Sequence, residues 1–342
     1  MKQSSRNLLL QIITGLMILT LMIWQAKRPR SVELDSGYRQ TMGTFARLLV
    51  VAPDREAAEN SLDAAFAVFD RVEALMSDYD PDSQISRVNR DAYHEPVAVD
   101  GQVFEVLSAA LEYSRLTDGA FDITVGPVVQ LWRDARQGGQ APTPEAIARA
   151  RENVGYRYLE LDPETQTVRF GRDGMLLDVG GIAKGYALDR AAEAMRQAGA
   201  LGAMIDIGGD IVCFGQAVGG RDHWLIGLQD PDEDGNLLLR LKIDDRAVAT
   251  SGDYRRFVVV DDRKHSHIIN PATAEAAEAL ASVTIIAVTA MHADALATAA
   301  SVMGPEKALT LIESIDHTEA ILIPGDRPQD ILKTSRAEDY IE

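Results

Sequence analysis

The sequence predicts an α+β protein in which mixed or antiparallel sheets pack against helices, behind one N-terminal transmembrane helix. Three observations support this fold class. An uncharged apolar stretch lies near the start of the chain, several later segments place apolar residues three or four apart, and the second half contains many short apolar runs separated by turn residues. The first two patterns indicate helices, and the third indicates strands joined by turns.

Residues 1–30 are predicted to form a membrane anchor. No charged residue occurs from Asn7 to Ala26, and Leu8 to Trp24 consists mostly of Leu, Ile and Met. A helix of this length spans the hydrocarbon core of a bilayer. The segment ends without the small residues of a cleavage site, so we expect an uncleaved signal anchor. The basic residues on its two sides are too evenly divided to set its orientation.

Residues 31–342 are predicted to form a single domain, because neither an internal repeat nor a long Pro/Ser linker divides them. The chain has a net charge of −18, and residues 1–30 hold five basic residues and no acidic one, which leaves −23 for the domain. Such a charge repels nucleic acid, so we expect no nucleic-acid partner. The single cysteine, Cys213, lies in an apolar run where a buried thiol is expected, so neither a disulfide nor a thiol catalyst is predicted.

The periodicity of apolar residues locates the elements of this domain. Helical spacing predicts helices at 57–76, 103–117, 143–152, 186–198 and 291–300. Short apolar runs predict strands at 45–51, 158–161, 167–170, 203–214 with a break at its glycines, 223–228, 237–243, 247–250, 257–260 and 282–288. Residues 77–89, rich in Asp, Ser and Pro, are predicted to be a loop.

Residues 176–189 are the stretch around which the domain is predicted to be organised. Two apolar residues lead into Asp178, Gly180 and Gly181 allow a tight turn, and Lys184 stands at the mouth of a helix. A helix N-terminus flanked by a lysine is a favourable place for anionic oxygens such as those of a phosphate. The alternative is an ordinary strand-to-helix connection with a solvated lysine, and the pattern is not a P-loop.

Two further positions carry oxygen atoms that could bind a ligand. Asp294 and Thr298 are four residues apart on a predicted helix, so their side chains share one face and offer the hard oxygen ligands that suit Mg²⁺. An exposed aspartate near a helix start, favourable to the helix dipole, is the alternative. Asp122 follows a helix stop, where it could bind a ligand hydroxyl or amide or could form an Asx-turn.

Eight short motifs occur in the order in which one family carries them, and the set is far more specific than any member. They are Met42-Gly43-Thr44, Ser77-Asp78-Tyr79 with Ser83, Gly119-Ala120-Phe121-Asp122, Asp178 to Gly185, Gly208-Gly209-Asp210, Thr250-Ser251-Gly252, His267-Ile268-Ile269-Asn270-Pro271 and Ala293 to Thr298. From about residue 40 to residue 305, the chain therefore resembles the ApbE family of FAD:protein FMN transferases.

The resemblance implies an α+β catalytic domain that binds FAD with Mg²⁺, cleaves its pyrophosphate and joins the FMN phosphate to a threonine hydroxyl of a partner protein, releasing AMP. The flavin-contacting positions of the family correspond here to Met42, Tyr79, Ala120, Phe121, Asp122, Asp178, Lys184 and Ile268. Its metal positions correspond to Asp294, Thr298 and the backbone carbonyl of Gly181. Phosphoryl transfer depends on positioning and on charge neutralisation, so Mg²⁺ and a nearby lysine are expected at such a site.

The acceptor hydroxyl also needs a base. His267 is the candidate, because histidine has an unperturbed pKa near neutrality, and His265 and His292 are its rivals. Together with Lys184 and Asp294, His267 completes the predicted catalytic set. Each of the three histidines could equally be structural.

The resemblance also suggests partners and a location. The acceptors of the family are flavoprotein subunits of sodium-pumping NADH:quinone oxidoreductases, Rnf-type electron-transport complexes and related membrane reductases. The lipid anchor common in the family is replaced here by the transmembrane helix. We therefore expect a single-pass protein of the inner membrane, with its catalytic domain on the periplasmic side.

Two departures from the family pattern bear on activity. The family's His-Ile-Ile-Asp-Pro ends here in Asn270-Pro271, and the usual Thr-Gly reads Thr273-Ala274. If the missing carboxylate positions the metal or the nucleophile, turnover is reduced, and if it only shapes a turn, Asn is a mild change. Two other functions stay open, namely an FAD pyrophosphatase that gives FMN and AMP, and a non-catalytic periplasmic flavin carrier.

Overall fold

The computed structural model describes residues 31–138, 141–231, 235–252, 257–260, 263–266, 268–327 and 330–342. The predicted transmembrane helix at Leu8 to Trp24 lies outside these residues. Of the helices that are described, none has the length and apolar character needed to cross a membrane.

A nine-stranded antiparallel sheet is the centre of the fold. Its strands are β1 Val32–Asp35, β2 Arg39–Thr41, β3 Thr44–Ala52, β7 Gly202–Ile207, β8 Asp210–Gly215, β11 Arg246–Gly252, β14 Leu280–Ala287, β15 Glu319–Pro324 and β16 Leu332–Lys333. Their order is β1-β3-β7-β8-β11-β14-β15-β16, with β2 paired to β3 outside this path. The predicted break at Gly208 and Gly209 is confirmed as the hairpin turn between β7 and β8.

The described residues also form three small antiparallel sheets. They comprise β4 Val97–Ala98 with β5 Leu159–Asp162 and β6 Thr167–Phe170, β9 Trp224–Gln229 with β10 Leu237–Ile243, and β12 Phe257–Val260 with β13 Arg263–Ser266. Every strand pairing in the described residues is antiparallel, apart from one isolated parallel bridge between Val125 and Leu176. The predicted α+β class with antiparallel sheets is confirmed.

Eight helices lie in the described part of the chain. They are α1 Arg55–Met76, α2 Gln84–Asp91, α3 Gly101–Leu116, α4 Gly126–Gly138, α5 Pro144–Glu152, α6 Ala183–Gln197, α7 Ala290–Met303 and α8 Pro305–Glu313. The five predicted helices are confirmed as α1, α3, α5, α6 and α7. The loop predicted at 77–89 is wrong from Gln84 onward, because the Ser83 hydroxyl accepts a hydrogen bond from the Ser86 N–H and caps a helix there.

The two faces of the large sheet bury different partners. Alternate residues of β3 point to opposite sides, and Leu48 and Val50 join the main core with α1, α6 and α7. On the other side, Val51 packs in a second core with Trp224 of the β9–β10 hairpin. Cys213 belongs to this second core, and burial raises the pKa of its thiol, which confirms the buried cysteine expected from sequence.

Candidate active site

The site forms where α6 and α7 begin side by side. A Cβ atom added to Gly185 would lie 2.4 Å from the carbonyl oxygen of Ala290 and 2.6 Å from the Cα of Met291, so only glycine permits this approach. The Asp189 carboxylate accepts hydrogen bonds from the backbone N–H groups of Ala290 and Met291 at 2.7 and 2.9 Å. Asp189 on α6 thus holds the start of α7 in place.

Lys184 joins two buried carboxylates at this junction. Its ammonium donates to Asp210 at 2.5 Å and to both oxygens of Asp294 at 3.1 Å. The side chains of Asp210 and Asp294 are only 7% and 4% exposed. Helix α6 begins at Ala183, three residues earlier than predicted, so Lys184 lies within its first turn. The alternatives of a solvated lysine and an exposed helical aspartate are both wrong.

Burial and charge act against each other in this cluster. Burial alone would lower the pKa of Lys184, but the charges of Asp210 and Asp294 outweigh it and raise that pKa. Burial raises the pKa of Asp294, although Lys184 opposes the change. Both directions agree with two carboxylates that share one ammonium. The Gly185 N–H also donates to Asp294 at 3.0 Å, so an anionic oxygen does lie at the N-terminus of α6.

The three predicted metal positions come together in the structure. A Cβ atom on Gly181 would lie 2.9 Å from the Thr298 hydroxyl oxygen, and Thr298 lies one turn from Asp294 on the same face of α7. A carboxylate, a hydroxyl and a nearby backbone carbonyl are hard oxygen donors, which fits Mg²⁺. No cluster of three or more His, Cys, Asp or Glu side chains suited to a metal occurs among the described residues.

A second polar cluster holds Asp178 and Tyr79. Asp178 accepts hydrogen bonds from the Gly180 N–H and from an Arg133 nitrogen, both at 2.8 Å, and another Arg133 nitrogen donates to Asp78. The Arg133 guanidinium also lies over the Tyr79 ring, 4.6 Å from its centroid. Burial and the charge of Asp78 raise the pKa of Asp178, and Arg133 opposes them.

Asn89 on α2 fixes the strand-like segment that carries Asp178. Its side chain donates to the Leu177 carbonyl at 3.0 Å and accepts from the Leu177 N–H at 2.6 Å. A cleft of about 290 Å³ opens beside it, lined by Asp78, Asn89, Arg133 and Leu177 among others. Neither Asn89 nor Arg133 was among the predicted site residues, although Asn89 lies in the segment whose helix was missed.

Phe121 lies beside the predicted metal positions, whereas Asp122 turns inward. Phe121 is buried and would be 3.4 Å from a Cβ atom on Gly181, and Ala120 is half-buried. The Asp122 carboxylate accepts hydrogen bonds from the N–H and hydroxyl of Thr124 and from the N–H of Tyr156. One oxygen therefore serves an Asx-turn, the second of the two roles considered for it, and the other binds the distant Tyr156 segment.

The turn that carries Met42 lies next to the Asp210 hairpin. Met42 and Gly43 both have positive φ, 48° and 68°, as a two-residue hairpin turn requires, and Glu73 accepts the Met42 N–H at 2.9 Å. A Cβ atom on Gly208 would lie 2.9 Å from the Thr44 hydroxyl. The first and fifth motifs are thus in contact.

The histidines differ in what the structure describes of them. His267 lies outside the described residues. His265 of β13 pairs with Val258 of β12, and Ile268, the residue after His267, is buried. His292 shares a hydrogen bond of 3.1 Å with the Tyr113 hydroxyl, and burial lowers its pKa.

Comparison with known proteins matches this arrangement to one family. The model described as the ApbE family matches residues 42–322, most of the chain. The chain belongs to the ApbE family. The match includes every predicted site residue.

Members of the ApbE family that resemble the chain include curated proteins and solved structures. An FAD:protein FMN transferase of Haemophilus influenzae is 30% identical over 326 residues, covering 92% of this chain and 94% of that protein. One from Treponema pallidum is 32% identical over 302 residues, covering 84% and 83%. The crystal structure of the ApbE protein of Thermotoga maritima superposes with a TM-score of 0.81 at 30% identity, covering 92% of this chain and 100% of that one. The flavin transferase ApbE of Vibrio cholerae has a TM-score of 0.78 at 29% identity, covering 91% and 99%.

The departure from the ApbE pattern at Asn270 lies in a turn. The Asn270 side-chain oxygen accepts the N–H groups of Ala272 at 2.9 Å and Thr273 at 3.4 Å, and the Asn270 carbonyl accepts the Ala274 N–H at 2.7 Å. An aspartate could accept the same hydrogen bonds. Ala274 has a φ of 61°, in the left-handed region that favours the family's glycine, and its buried methyl group packs in a cluster with Val128.

Proposed function

We propose that the chain transfers the FMN moiety of FAD to a threonine hydroxyl of a target flavoprotein and releases AMP. The observation that carries the proposal is the convergence of Lys184, Asp294, Thr298 and Gly181 in a member of the ApbE family. Curated relatives that cover most of the chain bear the name FAD:protein FMN transferase. In this reaction the pyrophosphate P–O bond breaks, a bond forms between the threonine oxygen and the FMN phosphorus, and the hydroxyl proton passes to a base.

Asp294, Thr298 and the Gly181 carbonyl would hold Mg²⁺, which supplies neutralisation of the phosphate charge when bound. Lys184 adds a positive charge at the same place, since its ammonium lies against Asp294. Asp210 orients that ammonium from the other side, and the Thr250 N–H donates to Asp210 at 3.2 Å. We propose that Lys184 contacts the FAD phosphates from this position.

The flavin end of FAD would lie along the Tyr79, Asp178 and Phe121 side. Tyr79 is 76% exposed, so a planar ring system can stack against its ring. Met42 and Ile268, which belong to other segments of the chain, would contact the flavin as well. Asp122 would contribute its backbone, because its carboxylate is occupied within the protein.

We retain His267 as the proposed base for the acceptor hydroxyl. Its rival His292 lies within the described residues, is bonded to Tyr113, and has a lowered pKa that favours the neutral ring at pH 7. A neutral imidazole can accept a proton, so His292 could also act as the base. Replacing His267 and His292 separately by Gln distinguishes the two. Only the loss of the base should abolish transfer while FAD binding persists.

The membrane location and the acceptors are part of the proposal. The segment from Leu8 to Trp24 would anchor residues 31–342 on the periplasmic side of the inner membrane. The acceptors would be flavoprotein subunits of sodium-pumping NADH:quinone oxidoreductases or Rnf-type complexes. A reporter enzyme that is active only outside the cytoplasm should be active when it is fused after Glu342. If only a reporter that requires the cytoplasm is active in this fusion, the proposed location is refuted.

One incubation tests the activity. The full-length chain is mixed with FAD, Mg²⁺ and a candidate acceptor flavoprotein, and the products are identified by mass analysis. Protein-bound FMN together with AMP supports the transferase. Free FMN and AMP would instead indicate an FAD pyrophosphatase, and bound but unchanged FAD would indicate a carrier.

A further inference from the structure

Arg133 on α4 contacts three side chains at the flavin side of the site. One guanidinium nitrogen donates to Asp78, another donates to Asp178 at 2.8 Å, and the guanidinium carbon lies 4.6 Å from the centroid of the Tyr79 ring. The side chain is 27% exposed. A single arginine therefore joins the two carboxylates and the aromatic ring, which come from separate segments of the chain.

We propose that Arg133 is a positioning residue for flavin binding, which holds the Tyr79 ring and the Asp178 carboxylate where the flavin meets them. The inference rests on the proposed function, because it assigns Tyr79 and Asp178 to the flavin. Arg133 acts through these two residues. The chemical class of the ligand is a planar flavin ring with hydrogen-bonding edges.

The charge of Arg133 is needed because its partners are poorly solvated. The Asp78 and Asp178 side chains are 19% and 15% exposed and would repel each other without a cation between them. The planar guanidinium bonds both carboxylates at once and still presents a face to an aromatic ring. The ammonium of a lysine could supply the charge but not this geometry.

The position of Tyr79 also depends on Arg133. The ring lies on the protein surface, and the guanidinium covers one of its faces, which leaves the other face for a planar ligand. Removing the guanidinium would free the ring to take other rotamers. A flavin that stacks on Tyr79 would then have to order the ring as it binds, which weakens binding.

Residues other than Arg133 hold helix α4 in place. The neighbouring Trp132 donates from its indole nitrogen to the Ala274 carbonyl at 3.3 Å, and Val128 packs against Ile269. The helix is therefore held by contacts that Arg133 does not make. Substitution of Arg133 should leave these contacts and the fold intact.

Titration calorimetry of FAD with the full-length chain tests the inference. Arg133→Met should weaken FAD binding about tenfold, which corresponds to about 1.4 kcal/mol. Arg133→Lys should restore part of the affinity. Arg172→Met is the matched control, because Arg172 lies 3.6 Å from the centroid of the Tyr158 ring and also donates to the Tyr158 hydroxyl, outside the cleft. The FAD affinity of Arg172→Met should match that of the wild type.

A second background shows whether Arg133 acts through its partners. In a chain that carries Tyr79→Leu and Asp178→Asn, the further change Arg133→Met should alter FAD affinity less than about twofold, since residues in contact are not additive. A full tenfold effect there would mean direct contact with the ligand and would overturn the positioning role. If Arg133→Met does not fold, a loss of about threefold in Arg133→Lys supports the inference.

The failures are distinguishable. A wild-type chain that does not bind FAD overturns both the proposed function and this inference. A wild-type chain that binds FAD, with Arg133→Met and Arg133→Lys binding it as tightly as Arg172→Met does, overturns the inference alone. Thermal unfolding of each variant identifies any loss of affinity that follows from loss of fold.

Discussion

The ammonium of Lys184 lies 3.1 Å from each carboxylate oxygen of Asp294, a residue 110 positions further along the chain. The next residue, Gly185, donates its backbone N–H to the same carboxylate. Asp294 is therefore a buried anion held by a side chain and by the start of a helix. A cation that binds Asp294 joins an existing charge network that also includes Asp210.

Asp294→Asn should greatly reduce Mg²⁺-dependent transfer, because the amide is a poorer ligand for Mg²⁺ than a carboxylate. It should also lower the free energy of unfolding by about 1.5–3 kcal/mol, the range for a charged hydrogen bond. Denaturant unfolding and an FMN-transfer assay give the two measurements. Asp63→Asn, at an exposed aspartate of α1, is the matched control and should change neither. Full activity of Asp294→Asn would exclude Asp294 as a metal ligand.

Gly185→Ala should destabilise the protein, because the new methyl group would meet backbone atoms of α7 at 2.4 to 2.7 Å. Backbone atoms cannot rotate away as the end of a side chain can, so the two helices must separate. Overpacking of this kind costs about 1–3 kcal/mol. The measurement is the free energy of unfolding.

Gly101→Ala provides the control for Gly185→Ala. Gly101 begins α3, and an added Cβ atom would be 3.8 Å from the nearest neighbouring atom, the Gln166 amide nitrogen. Alanine also has the higher helix propensity. Equal stability of the Gly185 and Gly101 variants would show that the α6–α7 junction tolerates a wider spacing.

Two of the five helices that the sequence predicts, α1 and α3, show why apolar spacing identifies a helix. Helices α1 and α3 bury apolar residues on one face, so the spacing of those residues identifies them. Helix α2 buries only Ile85 and Val88 and follows a segment rich in Asp and Ser, so its composition resembles that of a loop. Helix α4 begins with Gly126-Pro127, a pair that also signals a turn.

Residue chemistry and the family motifs predict where the candidate site lies, but not how its charges are paired. The spacing of Asp294 and Thr298 places them on one helix face whatever the fold. The burial of Asp294 and its contact with Lys184 depend on how α6 crosses α7. The local sequence pattern of either helix does not contain this information. The same holds for Arg133, whose partner Asp178 lies 45 positions away.

Asn270→Asp should change the transfer rate by less than about threefold, because the Asn270 oxygen serves a turn and Asp serves turns alike. Asn270→Ala, which loses the acceptor, should lower the free energy of unfolding by about 0.5–1.5 kcal/mol. Transfer kinetics and denaturant unfolding test the two variants. A large gain in rate with Asp would show that the family's carboxylate has a catalytic role beyond the turn.

Gly181→Ala should weaken Mg²⁺ binding more than it affects the fold. The new Cβ atom would lie 2.9 Å from the Thr298 hydroxyl oxygen and 3.3 Å from its methyl carbon, so the Thr298 side chain must shift from its position. The φ of Gly181 lies outside the left-handed region, so its backbone accepts alanine. Calorimetric titration of Mg²⁺ in the presence of FAD is the measurement.

A second variant separates displacement of Thr298 from general damage. Serine at position 298 keeps the hydroxyl but lacks the methyl group, so it can rotate away from the new Cβ atom and still offer its oxygen. The double variant Gly181→Ala, Thr298→Ser should therefore bind Mg²⁺ more tightly than Gly181→Ala alone. If serine brings no recovery although both proteins unfold like the wild type, then Thr298 is not the residue through which Gly181 acts. The role of Gly181 would then lie in its own carbonyl.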